Sequence, residues 1–245
     1  MKADKYRKRF YRDWIKGSGL YECRIAVKET DLQVFTDRPV DKNFVKERIR
    51  LYRLDIENYI DRDRRFLTAL KPIEVELTAR PIIKEMSRAA KKAGVGPMAA
   101  VAGAIAQAVG RDLLNRGFRE IIIENGGDIF LASRKIRLIG IYTGRKKLWG
   151  GLKLKIKPQD TPLGICTSSG TIGHSLSFGC ADSAVILAKN ASLADAVATA
   201  VANRVQNKGS LAKALEFARS IPGVLGAVII IKESLASYGG VEFSR

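Results

Sequence analysis

The chain has 245 residues and a net charge of +18, with 46% hydrophobic residues and a mean hydropathy of −0.06. This composition is typical of a soluble globular protein, built as a single domain or as two lobes whose boundary the sequence does not define. Three scattered cysteines exclude a disulfide framework, and no secretory signal or apolar span of membrane length is visible. We therefore expect a cytoplasmic protein without a membrane partner, and the sequence leaves its oligomeric state open, a homo-oligomer included.

The predicted elements are strands and clustered helices. Alternating or continuous apolar runs predict strands at 21–27, 32–36, 73–77, 121–124, 136–142, 152–156, 163–166, 184–188, 224–231 and 240–243, with the last two paired. Apolar residues at helical spacing predict helices at 41–66, 81–93, 98–114, 193–205 and 211–219. This order favours an α+β fold, with mainly antiparallel sheets packed with helices, over a βαβ series. No GxGxxG follows a strand and no GxxxxGK[ST] occurs, which argues against a Rossmann or P-loop site.

Residues 129–159 carry nine basic side chains and no acidic one. Such a stretch attracts polyanions, so a nucleic-acid-binding module is one alternative function. The alternation of lysine with leucine and isoleucine over 152–157 instead favours a half-buried edge strand. Aromatic residues are sparse here, which argues against a platform for stacked bases.

A first candidate site is the segment Asn125-Gly126-Gly127-Asp128, which follows the strand at 121–124. Two glycines allow the backbone to turn tightly and to approach a ligand closely, and Asn125 and Asp128 offer polar side chains at the ends. The alternative is a plain hairpin, because Asn-Gly is a strong turn signal.

A second candidate is the helical segment ADAVATA, in which Asp195 and Thr199 are four residues apart. This spacing puts a carboxylate and a hydroxyl on one helix face, where both could ligand a hard cation. The alternative is helix capping, because Ser192 and Asp195 fit the spacing of a capping box.

A third candidate is a run of small polar residues that contains the single histidine of the chain, His174. Buried hydroxyl groups need partners, so this run is better explained by a loop that meets a polar ligand. Of its members before the histidine, Thr167, Ser168, Ser169 and Gly170 are the candidate cofactor-binding residues. His174 is the candidate general acid or base. The spacing of Cys166, His174 and Cys180 matches no standard zinc site.

Taken in order, these motifs resemble the ApbE superfamily, whose members bind FAD and supply an Asp and a Thr from an ADAxxTA helix to magnesium. The resemblance is strongest to a shorter, poorly characterised ApbE-like family, through the segments AGVGPMAAVAGAIA, ENGGDIF, GICTSSGTIGHSLSFGCAD and LADAVATAVANRV. It implies an ApbE-like fold, Asp195 and Thr199 as Mg²⁺ ligands, and contact between a flavin and residues Asn125 to Asp128.

The chain departs from the transferases in two segments. The transferases carry a D-L-G-G-x-x-K-G type of segment before the helix, whereas the corresponding run of this chain, GVGPMAAVAGAIAQAVG, has no lysine. The transferases also carry an H-x-x-D-P-x-T-G segment, whereas His174 of this chain is followed by SLSFG. The leading hypothesis is therefore a protein that binds FAD, FMN or a related nucleotide with Mg²⁺, with transferase chemistry left open. Relatives of the shorter family are linked to homocysteine formation, so an accessory role in sulfur assimilation that uses Cys166 is the alternative.

Overall fold

The computed structural model describes residues 19–143, 146–170 and 179–244, with only the backbone at 146 and 147. The strands within these residues are β1 Tyr21–Val27, β2 Thr30–Thr36, β3 Ile121–Asn125, β4 Asp128–Ala132, β5 Arg137–Gly140, β6 Lys153–Ile156, β7 Leu163–Ser168, β8 Ser183–Ala188, β9 Val224–Ile231, β10 Ser234–Gly239 and β11 Glu242–Ser244. The helices are α1 Lys42–Arg62, α2 Arg65–Thr68, α3 Pro81–Ala93, α4 Val101–Asn115, α5 Lys146–Trp149, α6 Ala191–Arg204 and α7 Leu211–Ser220. Short 3-10 turns lie at Pro97–Ala100, Pro158–Asp160 and Lys208–Ser210.

The strands form two sheets in which every neighbouring pair is antiparallel. The larger sheet has the order β1-β2-β3-β4-β7-β8-β9-β10, so it follows the chain except between β4 and β7. There β5 and β6 leave it and form a three-stranded sheet with the last strand, in the order β11-β6-β5. The predicted α+β class with mainly antiparallel sheets is confirmed.

The larger sheet is the middle of three layers. Its side chains on one face, such as Ile121 and Ile123, pack into a core shared with the helices, while Ile122 on the other face packs against the three-stranded sheet. Because both faces of β3 are covered, its isoleucines form a continuous apolar run instead of an alternating one.

The structure corrects several predictions about the strands. Residues 73–77 form no strand, although their sequence alternates: the carbonyl of Ile73 accepts a hydrogen bond from the Ser87 hydroxyl of α3 at 2.9 Å. Strand β4 was not predicted, because its short apolar run directly follows the glycine turn. The predicted pairing of 224–231 with the final strand is wrong, because β9 pairs with β10, a strand that the sequence did not predict, and the final strand pairs with β6. Strand β6 is therefore a middle strand and not an edge strand, and its Lys155 meets Glu242.

Across the described ranges, no single helix is long and apolar enough to cross a membrane. Helix α3 and the segment Pro97–Asn115 reach that length and composition only together, and a bend of 103° separates them.

Candidate functional site

The Asn125–Asp128 segment is a tight β-hairpin that joins β3 to β4. Asn125 and Asp128 are directly paired, and Gly126 and Gly127 form the turn with φ angles of 71° and 107°. Glycine adopts these left-handed angles without steric cost, and the N–H of Gly127 donates to Oε1 of Glu124 at 2.7 Å. The hairpin is confirmed, while contact with a ligand at this turn remains a prediction.

Both polar ends of the hairpin lie on the helix-covered face of the larger sheet. Directly paired residues of antiparallel strands share a face, and Asp128 is paired with Cys166, which belongs to the core under the helices. On the same face, Nδ2 of Asn125 donates to the carbonyl of Ala102 in α4 at 3.1 Å. The hairpin is thereby attached to the first turn of that helix.

Asp195 lies in the second turn of α6 and contacts the first turn of α4. Its Oδ2 accepts a hydrogen bond from the backbone N–H of Gly103 at 2.9 Å. The close packing of α4 against α6 requires a glycine at position 103. A Cβ there would lie 2.3 Å from the carbonyl oxygen of Ala191 and 2.9 Å from the Cβ of Asp195.

The capping-box interpretation of Asp195 is wrong. Helix α6 begins at Ala191, and its N-cap is Asn190, whose side chain accepts from the N–H of Leu193 at 2.9 Å. Ser192 is buried and its hydroxyl meets Glu85 at 3.3 Å. Asp195 therefore provides its capping hydrogen bond to another helix, a tertiary contact that local spacing does not reveal.

Asp128, Cys166 and Asp195 form one electrostatic cluster on this face. Burial, followed by the charge of Glu124, raises the pKa of Asp128 to about 7, although the neighbouring Cys166 thiol and the Thr167 backbone oppose the shift. Burial and the charge of Asp128 raise the pKa of Asp195 well above its ordinary value. Repulsion between the two carboxylates adds to the cost of burying their charges, so a proton or a nearby cation would stabilise the cluster.

Cys166 is fully buried and is paired with Asp128 across β7 and β4. Its thiol donates to the carbonyl oxygen of Ala191 at 3.3 Å. Burial and the charges of Asp128 and Asp195 raise its pKa well above the ordinary value. The thiolate is the nucleophilic form of cysteine. This environment therefore gives no support to the hypothesis that Cys166 carries sulfur.

One carboxylate oxygen of the cluster lacks a hydrogen-bond partner. Oδ1 of Asp128 is buried and has no hydrogen-bond partner among the described residues. A buried oxygen without a partner is costly, and a cation or a ligand donor would satisfy it. Within residues 19–143, 146–170 and 179–244, no group of three or more acidic, cysteine or histidine side chains could hold a metal. A hard cation here would complete its shell with water or ligand oxygens, as Mg²⁺ commonly does.

The remaining predicted residues lie at the end of β7 and along α6. Thr167 and Ser168 close β7, with Ser168 buried and Thr167 half-buried, and Ser169 and Gly170 follow them. The N–H of Gly170 donates to the carbonyl of Ala181 at 2.9 Å. Thr199 is half-buried one turn after Asp195 on α6. The predicted catalytic residue, His174, lies outside the described residues.

The first turn of α4 is the part of the site that the sequence motifs do not indicate. Ala102 and Gly103 contribute a carbonyl to Asn125 and an N–H to Asp195, so this turn connects the hairpin to α6. Both groups belong to the backbone, which leaves no side-chain signal. The only indication in the sequence was the run of alanine and glycine, which permits close approach of another backbone.

The arrangement of layers and strands is that of the ApbE flavin transferases. The flavin transferase ApbE from Vibrio cholerae superposes with a TM-score of 0.56 at 12% identity, over 89% of this chain and 96% of that one. The flavinyl transferase ApbE from Pseudomonas stutzeri gives 0.57 at 10% identity, over 89% and 94%. At these identities the likeness establishes the fold.

Sequence comparison defines the family more closely. The family described as AbpE bacteria matches residues 12–236, and the chain belongs to it. A UPF0280 protein from Methanocella arvoryzae is 42% identical over 217 residues, which cover 89% of this chain and 88% of that protein. A UPF0280 protein from Methanosarcina acetivorans is 37% identical over 216 residues, covering 88% and 85%.

Proposed function

We propose that the protein binds a flavin nucleotide, FAD or FMN, together with Mg²⁺ at the site between the Asn125–Asp128 hairpin and α6. The observation that carries the proposal is the convergence of buried acids and backbone groups at the first turn of α4. The proteins of the same fold from Vibrio cholerae and Pseudomonas stutzeri are named flavin transferases, which makes a flavin the first ligand to test.

In this proposal Asp195 and Thr199 hold the cation, which neutralises the phosphates of the nucleotide. Gly126 and Gly127 admit the ligand close to the backbone, because neither carries a side chain and a Cβ at Gly126 would meet nothing within 4 Å. Asn125, Asp128 and the segment Thr167–Gly170 line the remainder of the site. Transfer of the flavin to an acceptor would need an acid or base, and the proposal assigns that role to His174.

Mass spectrometry of the purified protein is the direct experiment, because it identifies a flavin or nucleotide that remains bound through purification. Calorimetric titration with FAD and FMN, each with and without Mg²⁺, then measures affinity. The proposal expects binding that Mg²⁺ strengthens. Absence of binding to either flavin under both conditions would refute it.

Thr199→Val gives a matched test of the cation. It replaces a hydroxyl by a methyl group of similar size on a half-buried helix face, so the fold should persist. We expect the variant to bind the flavin more weakly with Mg²⁺ and unchanged without it. An equal loss under both conditions would place Thr199 outside the cation shell.

A further inference from the structure

We propose that Asp128 is a second carboxylate ligand of the cation site, so that the cation is held between β4 and α6 by Asp128 and Asp195. This inference rests on the proposed function and assigns to Asp128 a role beyond contact with the flavin. The ligand class is a hard divalent cation, Mg²⁺ or Mn²⁺, because the donors are carboxylate oxygens and a hydroxyl.

The register of the sheet and the first turns of α6 bring the two acids together. Asp128 is paired with Cys166, and the thiol of Cys166 reaches the carbonyl oxygen of Ala191 at 3.3 Å. Asp195 is four residues after Ala191 and therefore lies above it on the same helix face. Gly103 contacts both of these α6 residues, so the close packing of α4 fixes the position of Asp195.

The unpartnered atom of Asp128 is a second, independent observation. Asp128 is only 7% exposed, and its Oδ1 has no hydrogen-bond partner within the described part of the chain. Oδ2 of Asp195, in contrast, is engaged by Gly103. Asp128 therefore has a buried oxygen available for direct coordination.

Glu124 is an internal control for this argument. It is fully buried and belongs to the same hairpin, but it is paired with Ile129, whose side chain packs against the three-stranded sheet. Glu124 therefore faces away from Asp195, and its Oε1 already accepts the N–H of Gly127. Glu124→Gln removes one buried charge near the site without removing a ligand.

The experiment measures Mn²⁺ binding to the full chain by electron paramagnetic resonance, with competition by Mg²⁺. The proteins compared are the wild type, Asp128→Asn, Glu124→Gln and Asp195→Asn. Changes to residues that only orient a metal ligand already weaken metal binding by about 10- to 100-fold. Asp128→Asn removes the negative charge from a direct ligand, so its Kd for Mn²⁺ should exceed that of Glu124→Gln by at least about tenfold. Circular dichroism checks folding, and Asp128→Ser replaces Asp128→Asn if the latter does not fold.

Equal Kd values for Asp128→Asn and Glu124→Gln would overturn the inference, because the effect would then be one of charge alone. If the wild type binds Mn²⁺ but neither flavin, the proposed flavin-binding function is refuted. The Kd values of the variants for Mn²⁺ still decide whether Asp128 is a ligand. A wild type that binds no Mn²⁺ would overturn the inference together with the cation of the proposed function.

Discussion

Oδ2 of Asp195 accepts the backbone N–H of Gly103 at 2.9 Å, so a carboxylate in the second turn of α6 caps the first turn of α4. The N-terminus of a helix is a ready site for an anion, and here the protein's own carboxylate occupies a donor there. A nucleotide phosphate that approached this turn would meet Asp195 as a like charge. The proposed cation would remove that repulsion.

The first prediction concerns Asp195→Asn. The amide oxygen of Asn can still accept from Gly103, so the fold should persist. Because burial and Asp128 make ionisation of Asp195 unfavourable in the folded protein, loss of the charge should leave the melting temperature without metal unchanged or raise it. The increase in melting temperature that Mg²⁺ produces should vanish, which differential scanning calorimetry measures.

Thr199→Val should reduce the increase in melting temperature that Mg²⁺ produces, but by less than Asp195→Asn does. A hydroxyl supplies a dipole and no net charge to the cation. If Asp195→Asn keeps the wild-type response to Mg²⁺, then Asp195 serves only to join α6 to α4 and the proposed cation site is wrong.

Much of the fold could be predicted from patterns within single elements. Helix α3 was predicted with its observed ends, Pro81 and Ala93, because a proline is acceptable in the first turn and Gly94 ends the helix with a left-handed φ of 71°. The β1–β2 hairpin was found from its alternation. The pairing of the final strand with β6 could not be predicted, because Glu242–Ser244 is too short to specify a partner.

The sequence predicts which side chains belong to the candidate site, but not how they come together. The glycine turn indicates Asp128, and the four-residue spacing to Thr199 on a helix indicates Asp195. Their convergence depends on the pairing of β4 with β7, and β4 itself was missed. The contribution of Gly103 is a backbone N–H, which no side-chain pattern can indicate.

The second prediction concerns Gly103→Ala. The new Cβ would lie 2.3 Å from the carbonyl oxygen of Ala191, and neither helix backbone can yield cheaply. We expect a loss of about 1–3 kcal/mol in the free energy of unfolding, measured with urea, and weaker flavin binding. Gly126→Ala is the control: nothing lies within 4 Å of its Cβ, so only its positive φ should cost about 1 kcal/mol. Equal stability of Gly103→Ala and wild type would contradict the close packing of α4 and α6.

The third prediction concerns thiol reactivity. Cys180 is exposed, whereas Cys166 is buried, hydrogen-bonded and held protonated by burial and its acidic neighbours, which raise its pKa. Iodoacetamide should therefore modify Cys180 in the native protein and reach Cys166 only after denaturation. Peptide mass spectrometry over a time course measures both rates. Similar rates at the two positions would revive a reactive role for Cys166 in sulfur chemistry.

The fourth prediction concerns the buried ion pair between Glu120 and Arg137, which are 7% and 6% exposed. Arg137 donates to Oε2 of Glu120 at 2.7 Å and fixes the start of β5 against the start of β3. Glu120→Gln leaves the guanidinium buried without its counter-charge, so the free energy of unfolding should fall by about 3–5 kcal/mol at pH 7. The double variant with Arg137→Met removes both charges and should recover part of the loss, whereas additive losses would show that the pair is not coupled.

The same pair predicts how this loss changes with pH. Burial alone would raise the pKa of Glu120, but hydrogen bonds from Ser133, Arg137 and the Arg134 backbone outweigh it and lower the pKa below the ordinary value. A carboxyl with a lowered pKa contributes stability above its ordinary pKa, and that contribution is lost as the pH falls through the lowered value. The stability difference between wild type and Glu120→Gln should therefore narrow on acidification. Urea unfolding from pH 7 downward measures this difference, and a constant or widening gap would show that the ionised form of Glu120 is not the stabilising one.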